Sequence, residues 1–198
     1  MRIKSNWFKE GRERSPQEIS DALSFVVSRI ADNALKNTRK AKFEIEVGPQ
    51  YFDFLVEFLL FLILVADRIA YRDLSAEDRA IFTGNLANRV AETYAENRSR
   101  LLGDDLKGCK QCFIDLLNLR AGEYADFGYD ENGPDYAFYR YLAWCIGQIM
   151  NDADSGWIID QMISFEAPEA VQMVEKTLRG LYEAEPRKPR RRAAAGGD

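Results

Sequence analysis

From Ser15 to about Lys40 the apolar residues Ile19, Ala22, Leu23, Val26, Ile30 and Ala34 recur every three or four positions, with Asp21, Ser28, Asp32 and Lys36 opposite them. That period belongs to one face of an α-helix. Its start is written in Ser15-Pro16-Gln17-Glu18. Ser15 can cap, Pro16 suits the first helical position because its missing N–H is not needed there, and Glu18 stands where a capping box requires it. The pattern predicts an outer helix. The next segment, KFEIEV, alternates Phe43, Ile45 and Val47 with charges, but it is short and has no visible pairing partner, so it reads as an extended connector.

Gly48-Pro49 opens a second helix, expected to run to about Arg72, and Ser75 caps a third that runs to about Leu102 through Phe82, Leu86, Val90 and Tyr94. Gly103-Asp104-Asp105 breaks the chain before a fourth helix, about 106–127, and GYDENGPD forms a loop before a fifth, about 134–150. A short helix near 157–165 and a last one from Pro168 to about Glu183 follow. These elements predict an all-α, single-domain bundle of about six or seven helices over residues 15–185, with two central hydrophobic helices at about 49–72 and 134–150. Residues 1–14 and 186–198, which lack an apolar stripe, are expected to be flexible and disordered respectively.

The second helix is apolar enough to suggest a membrane span. Between Glu57 and Asp67, however, only nine residues lack a charge, and at about 1.5 Å each they cover about half of a roughly 30 Å hydrocarbon core. No membrane insertion is expected. Phe58 to Ala66 instead go all the way round the helix, which marks a segment enclosed by protein.

Charge refines this picture. The chain of 198 residues carries −5, but five cations against two anions leave +3 on residues 1–14, and five against one leave +4 on residues 186–198. The body between therefore holds −12, which repels nucleic acid and leaves only the basic tail to contact it. The N-terminal stretch lacks the apolar run of a secretory signal and the cysteines number three, so the expected location is cytoplasmic. Histidine is absent. Its absence removes Ser-His-Asp and Cys-His nucleophile systems, imidazole shuttles and His-ligated metals, leaving carboxylates, Lys, Tyr and Cys for any chemistry.

Four features invite a functional reading. Cys109 and Cys112 have C-x-x-C spacing, which at a helix start lowers a thiol pKa and permits reversible disulfide chemistry. The same cysteines fall in register with Phe113 and Leu116, so packing in a buried stripe is the competing reading and the one the pattern favours. Acidic residues gather at Asp126, Asp130, Glu131 and Asp135 and again at Asp152 and Asp154, without the spacing of a calcium loop; no metal site is assigned. Tyr136, Tyr139 and Trp144 are candidates for a ligand pocket, although aromatics on a mostly apolar helix usually form core.

Glu57 is the fourth feature, alone among Phe54, Phe58 and Phe61. Arg68 is eleven residues along the same helix and too distant to pair with it. Arg140, on the other apolar helix, has the complementary need for a partner, so the expectation is a buried ion pair between Glu57 and Arg140 that sets helix register. No catalytic constellation emerges and no cofactor is implied. The sequence supports a helical binding or assembly protein, acting on a protein partner or on itself as a homodimer; the alternative is a thiol redox or redox-sensing protein using Cys109 and Cys112.

Overall fold

The computed structural model describes residues 14–182; the basic tail and all but the last residue of the basic N-terminal segment lie outside them. Among the described residues the chain forms seven α-helices: α1 (Pro16–Lys40), α2 (Pro49–Asp73), α3 (Ala76–Leu102), α4 (Leu106–Tyr124), α5 (Tyr136–Gly147), α6 (Ser155–Gln161) and α7 (Ala167–Tyr182). The only other regular elements there are a π-helical turn, Met162–Glu166, and a two-strand hairpin, β1 (Tyr129–Asp130) with β2 (Gly133–Pro134). The protein is thus all-α, and no described helix is long and apolar enough to cross a membrane.

The expected capping box opens α1: Ser15 Oγ accepts the Glu18 N–H at 3.2 Å, and a Glu18 carboxylate oxygen accepts the Ser15 N–H at 3.0 Å. The helix is not peripheral, because α3 packs on one flank and α7 on the other. Its buried band accordingly widens beyond the apolar stripe to Ser20, Ser24 and Thr38. Each of these hydroxyls donates to a carbonyl one turn back in α1, which satisfies its proton within the helix.

Gly48, at φ +140°, takes a backbone shape that Pro49 can follow into α2. From Val56 to Ala66 every residue of α2 is buried. Helices α1, α3, α4, α5 and α7 all touch it, so the all-round apolar sequence is matched by neighbours on every side. Phe61 shows how the layers lock: its ring lies 5.7 Å from Phe138 of α5 and 6.4 Å from Tyr124 of α4. Ser75 caps α3 through the Asp78 N–H, and Gly103 ends it at φ +79°.

Helix α4 stops three residues sooner than the pattern predicts. Arg68 of α2 donates to the Tyr124 carbonyl at 2.8 Å, holding the last turn where it ends. The predicted loop contains the small hairpin, and Asp135 then accepts the Phe138 N–H at 2.8 Å to cap α5. With Asp135 as cap, Pro134 lies outside the helix, and α5 is shorter than the expected 134–150. It is also less enclosed: Tyr136, Arg140, Trp144 and Gln148 form a four-residue-spaced line on its exposed side. Two aromatics in that line disguise a one-sided helix as a central one.

The last two predicted helices are one continuous run. Pro168 has no N–H to offer the carbonyl of Ser164, and the helix widens into the π-helical turn directly before it. Helix α7 then buries Ala170, Val171, Val174 and Leu178. The chain closes on itself here, since Arg14 donates to the Leu181 carbonyl at 2.7 Å.

The π-helical turn also places Glu166 inside, at 5% exposure, against α1. Its carboxyl accepts from Gln161 at 3.0 Å and Asn37 at 3.5 Å. Burial, assisted by the charge of Glu169, raises its pKa despite those two bonds. A carboxyl whose folded pKa lies above its unfolded value holds its proton more tightly in the native state. Its contribution to stability is fully present below the unfolded value, about 4.3, and is lost as pH rises through the folded value. Glu166→Gln is expected to remove that slope, so that urea unfolding shows the variant gaining on the parent protein between about pH 4 and pH 8. A difference that stays flat across this range contradicts the assignment.

Candidate functional site

The most polar place in the interior is built on Glu57. Its carboxylate receives a two-pronged bond from Arg120 of α4, Nε to Oε2 at 2.9 Å and Nη2 to Oε1 at 2.5 Å. The remaining Arg120 nitrogen, Nη1, donates to Glu123 at 2.8 Å and to the Tyr141 hydroxyl at 3.1 Å, and Tyr141 in turn donates to Glu123. Three helices meet in this cluster. Burial pushes the Glu123 carboxyl up, but the bonds from Tyr141 and Arg120 outweigh it and leave the group below the ordinary carboxylate range. Burial and then the bond to Glu123 push the Tyr141 phenol up, so it stays a neutral donor. Cys145 lies beside them, and burial together with the Glu57 charge pushes its thiol up to about 12. Every member is held by another member, which suits a clip between helices better than a reaction centre.

Arg140 is therefore not the partner of Glu57. It projects from the exposed line of α5, where a guanidinium stays hydrated and needs no buried anion. The sequence does carry a signal for Arg120. It falls on the stripe formed by Phe113, Leu117 and Tyr124 of α4, and a cation on an apolar stripe requires an anion opposite.

The other candidates separate. Cys112 is exposed and Cys109 half-buried, so the two sulfurs do not share the buried stripe; Phe113 occupies it, and Cys112, one residue earlier, is turned toward solvent. Neither does the start of α4 activate Cys109. Burial comes first and the negative charge of Asp104 second in raising its thiol pKa, while Asp105 takes the free Gly108 N–H at 2.6 Å. Tyr136 and Trp144, 65% and 49% exposed, lie on the outer side of α5, whereas Tyr139 turns inward to within 6.4 Å of Phe61. The three aromatics line no common pocket. Of the loop acids, Asp130 accepts the Asn132 N–H, Asp135 those of Gly128 and Phe138, and Asp154 that of Glu44. These carboxylates are engaged in shaping backbone.

A feature absent from the sequence reading is a cavity of about 350 Å³ between α1, α2 and α3. Helices α1 and α3 run parallel, and the start of α1 is tied to the middle of α3: Asn85 donates to Ser20 at 2.8 Å and to Asp21 at 2.9 Å, and Arg89 donates to Asp21 at 3.0 Å. Further along, Ser28, Arg29 and Asp32 of α1 face Tyr94, Asn97 and Leu101 of α3 across a gap floored by Phe52, Leu55 and Leu59 of α2. Phe25, one turn before Arg29 on the same face of α1, is 74% exposed, and Leu101 is 68% exposed. A second, smaller cleft of about 140 Å³ runs past Glu166.

Comparison with protein-family models, with curated proteins and with solved structures finds no match.

The clip makes a sharp mutational forecast. Arg120→Ala strands the buried Glu57 carboxylate and is expected to cost about 3–5 kcal/mol, while Arg140→Ala stays within about 0.5 kcal/mol in the same chemical-denaturation assay. Equal effects from the two substitutions would refute the assignment of the pair. For the thiols, maleimide labelling of the native protein should modify Cys112 first and Cys145 only on unfolding; a measured Cys109 pKa below about 8.5 would revive thiol activation.

Proposed function

We propose that the protein is a binding protein whose ligand, a small molecule with an apolar body, occupies the groove between α1, α2 and α3. The single observation that carries this reading is the largely apolar cavity of about 350 Å³, with the 68% exposed Leu101 on its wall. Its volume falls within the range of about 300–1,000 Å³ typical of small-molecule sites. The shape supports a compact ligand over a docked helix. The Asn85 and Arg89 bonds close one end of the groove, whereas a helix would need a trough open over several turns.

A binding role is also the reading the side-chain chemistry supports. The Glu57–Arg120–Glu123–Tyr141 cluster is closed by its own bonds, and the Cys109 thiol is raised rather than activated. We place the protein in the cytoplasm, a location that its three free thiols support.

Titration with the neutral fluorophore N-phenyl-1-naphthylamine tests the proposal. Saturable enhancement at about one site per chain is expected, lost in Leu55→Trp, which fills the groove floor while leaving the circular dichroism spectrum unchanged. Enhancement that does not saturate, or that survives the filled floor, overturns it.

A further inference from the structure

We infer that the ligand of this groove is a free single-chain amphiphile with an anionic head, held by Arg29 with Asn97 as a second donor. The inference rests on the groove being the binding site and adds the chemical class of what it binds. Four ionisable groups line the cavity: Arg29, Asp32, Tyr51 and Tyr94. Three of them are already committed. Asp32 accepts the Tyr51 hydroxyl on Oδ1 and Lys36 on Oδ2, both at 3.0 Å, so its charge is answered and both oxygens are engaged. Burial and then Asp32 push the Tyr51 phenol up to about 12, so it remains a neutral donor turned toward Asp32. Tyr94 donates to the Phe52 carbonyl at 3.3 Å and accepts from Arg98 at 3.1 Å.

Arg29 differs from all three. It is exposed, and no hydrogen bond or ion pair engages it among the described residues. The same holds for the Asn97 amide on the facing wall. Ser28 and Thr93, the lining hydroxyls, both donate to carbonyls of their own helices, which leaves Arg29 and Asn97 as the free donors of the rim. A guanidinium presents a fork that fits a carboxylate or phosphate head, and below it Phe52, Leu55 and Leu59 offer an apolar floor for a chain. The uncommitted charge of the lining is thus positive in a protein whose overall charge is −5. Nonspecific adsorption to that protein would favour a cationic detergent, so a preference for anions would be a property of this rim.

Displacement of N-phenyl-1-naphthylamine by ten-carbon amphiphiles below their micelle concentrations reads the head group directly. Decanoate or decyl phosphate is expected to compete at about tenfold lower concentration than decanol, with decyltrimethylammonium weakest. The better of the two anions then identifies the head as carboxylate or phosphate. Arg29→Ala should abolish the anion preference while leaving decanol unchanged, and Arg29→Lys should keep part of it. If the fluorophore binds and all head groups compete equally, or if Arg29→Ala leaves the order intact, the head-group inference falls while groove binding stands. If the fluorophore itself finds no saturable site, both fall.

Discussion

A helix with apolar side chains on every side has to be surrounded, and α2 imposes that condition on the rest of the chain. Each large aliphatic or aromatic residue that it buries is worth about 1.5–3 kcal/mol when fully enclosed. The unbroken burial from Val56 to Ala66 makes α2 the helix that contributes most buried side chains to the core. Five helices supply the walls, and each needs only a single apolar stripe to do so. The amphipathic patterns of α1, α3 and α7 follow from this division of labour. Glu57 is the one interruption, and Arg120 reaches in from α4 because a carboxylate left alone there would cost several kcal/mol.

The walls do not close evenly. On one side, Arg120 and Glu123 of α4 reach Tyr141 of α5, and polar side chains join those two helices beside Glu57 of α2. On the other, the start of α1 is bonded to the middle of α3, and further along the two helices leave Leu55 of α2 partly exposed on the floor of the groove. The two regions solve the same covering problem differently. Internal bonds seal the first, whereas the second stays open as a groove.

Most of this architecture was legible in the sequence, because caps and periodicity are local. Ser15 with Glu18, Gly48 with Pro49, Ser75, and Gly103 act within one turn of themselves, and they put the boundaries of α1, α2 and α3 close to where they lie. Errors arose where tertiary context decides. Helix α5 looked central because Tyr136 and Trp144 count as apolar whether or not water reaches them. The partner of Glu57 was sought on the more hydrophobic helix, whereas burial of a cation is decided by its angular position, and Arg120 has the right one. The groove was invisible for a different reason: it is a space between helices, and no residue pattern along one helix encodes how far its neighbour stands away.

The contact between Arg14 and Leu181 joins residues separated by 167 positions. It makes the helical body a closed circuit, with its first and last described elements, α1 and α7, packed side by side. During synthesis α1, α2 and α3 emerge long before α7 and can meet through short connections, but one flank of both α1 and α2 stays wet until the final helix arrives. Completion of the core is thus a late, long-range event that depends on a single amphipathic segment. The same proximity means that α1 and α7 could be linked end to end and the chain opened instead at the exposed turn around Gly103, which would turn that late docking step into a local one.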